Sequence, residues 1–141
     1  MRKYLFLIMV VGLAAQVYGQ QAQATDKKDG AVITFEKKSH DFGDIVQGDK
    51  AEHTYTFTNT GNEPLIITNV QVQCGCTLPK NWPRDPIPPG GKGEITVSFN
   101  STGREGRQNK TVTVISNAVN PNDSNLSFTT NVLRKTSNPQ R

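Results

Sequence analysis

The sequence predicts an all-β protein, an antiparallel two-sheet sandwich of about seven short strands. Two observations favour it: apolar and polar residues alternate in short runs, and turn residues separate these runs about every 8–12 positions. The 12 glycines and 8 prolines among 141 residues argue against a helical bundle. No stretch has the i, i+3, i+4 spacing of an amphipathic helix over three turns, so the chain is read as one β domain.

The strands follow from a two-residue period. His53, Tyr55 and Phe57 alternate with threonines, which places the aromatic rings on one face of a strand. Residues 59–64 are predicted to form a turn, because Asn and Gly tolerate positive φ and Pro64 cannot continue a ladder. The predicted strands are 31–36, 42–46, 53–58, 65–72, 95–99, 112–114 and 126–132.

The large alternating side chains are sufficient for one core. They are Phe35, Phe57, Leu65, Ile67, Ile95, Val97, Phe99, Val112, Val114, Leu126 and Phe128. Residues 78–93 hold five prolines in or next to them and are predicted to be a long loop.

The N-terminus has the pattern of a secretory signal peptide. Arg2 and Lys3 precede an apolar run too short to span a bilayer, and the small residue Gly19 is the expected cleavage point, with Ala24 as the alternative. The expected organisation is a signal peptide at 1–19, a flexible lead-in at 20–30, the sandwich at 31–133 and a polar tail at 134–141. The signal-peptide pattern predicts an exported protein, periplasmic or secreted, and the short apolar run predicts no transmembrane segment in the mature chain. No cysteine follows the apolar run, so we expect no lipid anchor on an N-terminal cysteine.

The charge gives no reason to expect a nucleic-acid partner. The chain carries a formal +4, and setting aside Arg2 and Lys3 leaves 14 cations against 12 acids. A body this close to neutral lacks the basic surface that nucleic acid requires.

The Cys74-Gly75-Cys76 run is the sequence feature that suggests a chemical role. In a regular strand the two cysteines share a face with their Cα atoms about 6.6 Å apart, at the far limit for a disulfide. Gly75 is predicted to act as a hinge that brings the sulfurs together, and a β-branched residue there to oppose closure. The pair is then a readily reduced disulfide, a pair of metal ligands, or two inert thiols.

A metal site needs a further ligand. Two thiolates suit copper(I), or two of the four positions around zinc. His53 would be the third ligand if its strand neighboured that of Cys74 and Cys76 on the same face, although its period with Tyr55 more simply places it in the core or at its rim. Without such a ligand we expect no cofactor.

Trp82 and Arg84 lie together in the proline-rich loop. A loop tryptophan can anchor a partner or a sugar, and it can also pin its loop to the sandwich. Both interpretations stay open from the sequence.

Several runs together resemble a known family of exported bacterial proteins. They are the H-D-F-G-D-I run from His40, the H-T-Y-T-F-T-N-T-G run from His53, P-L-I-I from Pro64, C-G-C-T from Cys74, P-P-G from Pro88 and the stretch 110–117. The family is domain-of-unknown-function family 1573, common in the Bacteroidetes, and the match extends over about 35–133.

The resemblance implies an immunoglobulin-like sandwich related to Hydin-type and major-sperm-protein-type modules, without an assigned activity. Together with the absence of a recognisable catalytic motif, it leads us to expect a non-enzymatic module that binds a protein partner in the bacterial cell envelope or serves there as a scaffold. The alternative is a small copper, zinc or thiol-redox protein built on Cys74 and Cys76.

Overall fold

A computed structural model describes residues 29–136 of the chain. The predicted signal peptide, nearly all of the lead-in and the last five residues of the tail lie outside this range. The expected β-sandwich is confirmed, as two four-stranded sheets. The strands are β1 (Ile33–Phe35), β2 (Ser39–Val46), β3 (Lys50–Asn59), β4 (Ile67–Val72), β5 (Thr77–Asn81), β6 (Lys92–Asn100), β7 (Gly106–Ser116) and β8 (Asn125–Leu133), with a short 3-10 helix at Pro121–Ser124 before β8.

Each sheet combines strands that are distant from one another in the sequence. The first sheet has the order β1-β3-β6-β5 and the second the order β2-β8-β7-β4. All pairs are antiparallel except β2 with β8, which is parallel. The antiparallel expectation therefore does not extend to this pair, because β2 and β8 are joined by no hairpin that would reverse their direction.

β5 lies where the sequence predicts only loop. Pro79 stands inside it, pairing in register with Val97 of β6. A proline is tolerated there because β5 is the edge strand of its sheet, where a missing N–H can face away from the ladder. The segment from Trp82 to Gly91 remains loop, apart from a single bridge between Leu65 and Ile87.

The core lies between the sheets as expected. Every one of the eleven side chains predicted for it is buried, and Tyr55 and Ile33 join them. Phe42, half-buried on β2, packs against the core and contacts the ring of Phe128, with 5.4 Å between the ring centroids.

The N-T-G turn after β3 is organised by one buried side chain. The amide Nδ2 of Asn59 donates to the carbonyl oxygens of Glu63 (2.7 Å) and Ile87 (2.9 Å), while its Oδ1 accepts from the N–H of Gly61 (3.1 Å). Asn59 thereby ties the turn to the loop that follows β5.

Within residues 29–136 no helix is long and apolar enough to cross a bilayer.

Candidate functional site

Cys74 and Cys76 lie in the turn that joins β4 of one sheet to β5 of the other, and they form a disulfide. Their Cα atoms are 5.3 Å apart, inside the usual span for a bridged pair. The separation is shorter than in a strand because residues 73–76 bend rather than extend. The sequence places the pair correctly at a strand end, and the turn supplies the approach of the two residues.

Gly75 does not take the role that the sequence predicts for it. Its φ lies outside the left-handed region that favours glycine, unlike that of Gly43 at +68°. A Cβ built on Gly75 would meet no atom within 4 Å, since the residue is exposed at the tip of the turn. In this structure the disulfide closes without demanding the special freedom of glycine at this position.

The backbone of the turn is held on both sides of the disulfide. The N–H of Thr77 donates to the carbonyl oxygen of Cys74 (3.2 Å), and the N–H of Asn100 donates to the carbonyl oxygen of Cys76 (2.8 Å). Cys76 belongs to the buried core, whereas Cys74 is half-buried and packs against it. The two sulfurs therefore occupy unlike environments on a turn that is anchored to β6.

Thr77 is the residue that the sequence analysis missed. It is 1% exposed, and its Oγ1 lies 3.7 Å from the Sγ of Cys74 and 3.9 Å from the Sγ of Cys76. Within residues 29–136 the Thr77 hydroxyl has no hydrogen-bonding contact other than these two sulfurs. Its position directly after the second cysteine was the available signal, but a threonine next to a cysteine is too common to be informative.

His53 is not brought to the cysteines. It faces the rim of the core on β3, which is separated from β5 by β6, and its ring stacks on that of His40 from the other sheet. The ring centroids are 3.7 Å apart and the planes 9° apart. Parallel stacked imidazoles direct their nitrogen lone pairs side by side rather than toward one point, so this arrangement does not form a pair of ligands to one metal ion.

The metal hypothesis finds no further support in the described residues. Across positions 29–136 no group of three or more His, Cys, Asp and Glu side chains is close enough together to hold a metal ion. The thiolate is the form of cysteine that binds metal, and both sulfurs here are bonded to each other.

The environment of His53 disfavours the charged form of its ring. Burial lowers the pKa of His53, and the nearby charges of His40 and Lys37 lower it further. Tyr55 packs edge-on against His53, with ring centroids 4.6 Å apart, and its hydroxyl donates to the carbonyl oxygen of Ser127 (2.8 Å). Burial raises the pKa of Tyr55 to about 12. The surroundings of His53 and Tyr55 therefore favour the neutral form of each side chain over its charged form.

Trp82 and Arg84 are brought together. The Arg84 guanidinium carbon lies 3.8 Å from the centre of the Trp82 ring, and Trp82 packs on the core next to Pro83. The indole Nε1 is buried and has no hydrogen-bond partner among the described residues. Because Arg84 covers the ring and the indole is half-buried, the geometry favours pinning of the loop over an open stacking platform.

The fold occurs in several solved structures. A protein of unknown function from Porphyromonas gingivalis W83 matches with a TM-score of 0.58 and 17% identity, over 77% of this chain and 49% of that one. The PapD-like domain 7 of human CEP192 matches with a TM-score of 0.53 and 10% identity, over 74% of this chain and 87% of that one. The secreted serine protease VesC of Vibrio cholerae matches with a TM-score of 0.53 and 16% identity, over 77% of this chain and 24% of that one.

At these identities the likeness concerns the fold alone, and it is consistent with the expected sandwich of the Hydin and major-sperm-protein type. The chain spans about half the length of the Porphyromonas protein. No curated protein matches the chain in sequence. The sequence pattern of the family described as protein of unknown function (DUF1573) matches residues 33–132, which is nearly the entire sandwich. The chain therefore belongs to this family, DUF1573.

Proposed function

We propose that the protein is an exported, non-enzymatic binding module of the bacterial cell envelope, which needs no cofactor and pairs an extended, acidic segment of a protein partner along one free strand edge. The edge is the first half of β7. The signal-peptide pattern of residues 1–19 supports export, and strand addition to a sheet edge is a common way for sandwich domains to bind peptides.

The observation that carries the proposal is the unequal pairing of β7. Its pairing with β8 runs without a register shift from Gly106 to Thr113. Its pairing with β4 begins only at Val112, opposite Val72. Along Gly106–Thr111 β7 thus has a neighbouring strand on one side only, and its unpaired backbone groups form a template for one more strand.

Other edges of the sandwich are blunted. Pro79 removes a donor from β5, and β2 has a register shift at its Gly43, whose φ is +68°. The part of β3 that extends beyond β1 is approached by β2 through the stack of His40 on His53. The remaining outer strands are also limited, since β1 has only three residues and β4 has a register shift between Ile67 and Asn69. Proline, bulges and short strands are devices that limit strand addition, so they favour the β7 edge over these edges.

The charge next to the β7 edge favours an acidic partner. Arg104, Arg107 and Lys110 lie in or just before its first half, whereas the one acid among them, Glu105, is bound through both carboxylate oxygens by Arg134 (2.8 and 3.0 Å). Asp41 lies near Arg107: its pKa is lowered mainly by the backbone N–H of Gly43 and to a smaller extent by Arg107. Carboxylates on an added strand would meet a surface of net positive charge.

The test uses two synthetic peptides of about ten residues with alternating valine and a charged residue, glutamate in one and lysine in the other. Amide hydrogen exchange, followed by mass spectrometry, is expected to show protection of 106–111 by the glutamate peptide and no added protection of 112–116. Failure of the glutamate peptide to protect 106–111, or equal protection by the lysine peptide, would overturn the proposal.

A charge-reversed variant checks the surface. Arg107→Glu with Lys110→Glu is expected to weaken binding of the glutamate peptide about tenfold, since two attractions become repulsions. The matched control is Lys50→Glu with Lys92→Glu, which changes the net charge equally on the first sheet and is expected to change the affinity less than about twofold. Equal losses in the two variants would contradict a site on β7.

A further inference from the structure

We propose that the Cys74–Cys76 disulfide takes part in reversible thiol–disulfide exchange with a dithiol, and that the Thr77 hydroxyl is a positioning residue that stabilises the thiolate released from Cys76. This exchange is stoichiometric, one dithiol per disulfide, so it lies beyond the proposed non-enzymatic binding role and does not depend on it.

The first argument is the environment of the Thr77 hydroxyl. A buried hydroxyl normally donates to oxygen or nitrogen, because an unsatisfied buried donor is unfavourable. Here its contacts within the described residues are the two sulfurs, at 3.7 and 3.9 Å. A disulfide sulfur is a poor acceptor and a thiolate is a strong one, so the Thr77 hydroxyl gains a charge-assisted hydrogen bond only when the disulfide opens.

The second argument is the unlike burial of the two cysteines. Cys74 is half-buried and Cys76 is 9% exposed, within the core. An incoming thiolate therefore reaches the Cys74 sulfur more easily, and the Cys76 sulfur becomes the leaving group. Cys76 also lines a cleft with Lys50, Glu52 and Lys80, of which Lys80 and Glu52 are paired. The charged side chains of this cleft are therefore net positive, which favours a thiolate.

The exchange balances as two steps. One thiolate of the dithiol attacks the Cys74 Sγ, a mixed disulfide forms, the Cys74–Cys76 bond breaks, and its electron pair leaves on the Cys76 Sγ. The second thiolate of the dithiol then attacks the dithiol sulfur that is bonded to the Cys74 Sγ, and Cys74 is released as a thiolate. The dithiol is oxidised to a disulfide, the cysteine pair is reduced by two electrons, and two protons pass to or from solvent according to pH.

The third argument is that the turn is anchored independently of the sulfurs. The backbone hydrogen bonds from Thr77 to Cys74 and from Asn100 to Cys76 need no disulfide. They hold the two cysteines near each other when the bond is open, so reclosure is an intramolecular step.

The equilibrium is measured with dithiothreitol and its oxidised form as the redox couple, on the folded protein, by alkylating free thiols and weighing the products. Thr77→Val keeps the shape and removes the hydroxyl, and is expected to disfavour the reduced form about fivefold. Thr77→Ser is expected to restore it, and Thr96→Val, on the outer face of β6, is the control that should leave it unchanged. Equal equilibria in wild type and Thr77→Val would overturn the role of Thr77.

Two single-cysteine variants identify the attacked sulfur. With oxidised glutathione as the probe, at an alkaline pH where both thiols are ionised so that the rates report access to the sulfur, Cys76→Ser, which retains Cys74, is expected to form the mixed disulfide at least about tenfold faster than Cys74→Ser. In Cys74→Ser the thiol pKa of Cys76 is expected to rise when Thr77→Val is added, a change that a merely structural threonine would not produce. Equal or faster reaction of Cys76 would reverse the assignment, and a disulfide that is reduced only when near-UV circular dichroism shows unfolding would overturn the exchange altogether.

Discussion

The imidazole rings of His40 and His53 stack in parallel across the two sheets, with centroids 3.7 Å apart, although one lies on β2 and the other on β3. The stack closes the side of the sandwich on which these strands approach each other, and Phe42 and Tyr55 pack edge-on against it. Burial disfavours the charged form of His53 in this contact, so the stability of the contact is expected to depend on pH.

The first prediction concerns that dependence. Burial lowers the pKa of His53 below its ordinary value of 6.5, and His40 and Lys37 lower it further, so the unfolded chain binds a proton more readily than the folded one. The stabilisation is present above pH 6.5 and is lost as the pH falls through the folded-state pKa. Urea unfolding at a series of pH values is expected to show this loss, and His53→Phe, which keeps a ring against His40, is expected to show a smaller one. The same pH dependence in wild type and His53→Phe would contradict the assignment.

The second prediction concerns Tyr55. Its pKa is raised from 10.0 to about 12, so the neutral phenol is favoured in the folded state. That stabilisation is present below pH 10 and is lost as the pH rises from 10 toward 12, because the unfolded chain then releases the proton first. Tyr55→Phe loses the hydrogen bond to the carbonyl oxygen of Ser127, and is expected to lower the free energy of unfolding by about 1 kcal/mol at pH 7. It is also expected to flatten the alkaline decline measured by urea unfolding, and an unchanged decline would refute the explanation.

The third prediction separates chemistry from stability at the disulfide. A bridge between residues two apart removes little entropy from the unfolded chain, so Cys74→Ala with Cys76→Ala is expected to lower the free energy of unfolding by about 1–2 kcal/mol. Phe128→Ala, a core truncation, is expected to cost about 3–5 kcal/mol in the same urea titration. A loss in the double variant as large as that of Phe128→Ala would show that the disulfide is mainly a structural staple.

The fourth prediction compares two glycines. At Gly75 a Cβ meets no atom within 4 Å, so Gly75→Ala is expected to form the disulfide to the same extent as wild type in a thiol assay. At Gly61 a Cβ would lie 2.1 Å from the carbonyl oxygen of Gly30 and 2.6 Å from the amide nitrogen of Val32, so Gly61→Ala must displace backbone. It is expected to lower the free energy of unfolding by about 2 kcal/mol or more. Loss of the disulfide in Gly75→Ala would restore the hinge that the sequence suggests.

Sequence reasoning succeeds where the information is local. The alternation of His53, Tyr55 and Phe57 predicts both the strand and its inward face, and the structure buries Tyr55 and Phe57 fully. It fails at β5, because Thr77–Asn81 has no alternating apolar row and contains Pro79. That strand exists because β6 offers it a ladder, which no property of the five residues themselves reveals.

The candidate site divides in the same way. The position of Cys74 and Cys76 at a strand end, and of His53 in a row with Tyr55 and Phe57, follows from the order of residues. Whether His53 meets a cysteine or another histidine depends on which strands become neighbours, and the structure places β6 between β3 and β5 while bringing β2 over β3. The contact of the Thr77 hydroxyl with both sulfurs likewise depends on the bend of one turn.

The amino-acid sequence by itself determined the β class, the eleven predicted core side chains, the family resemblance and the cysteine pair, because side-chain period and residue type are properties of neighbouring positions. Only the tertiary structure decided the parallel pairing of β2 with β8, the exposed half of β7 and the partners of His53 and Thr77. These depend on contacts between residues far apart in the chain, which are selected by how two sheets bury their common core.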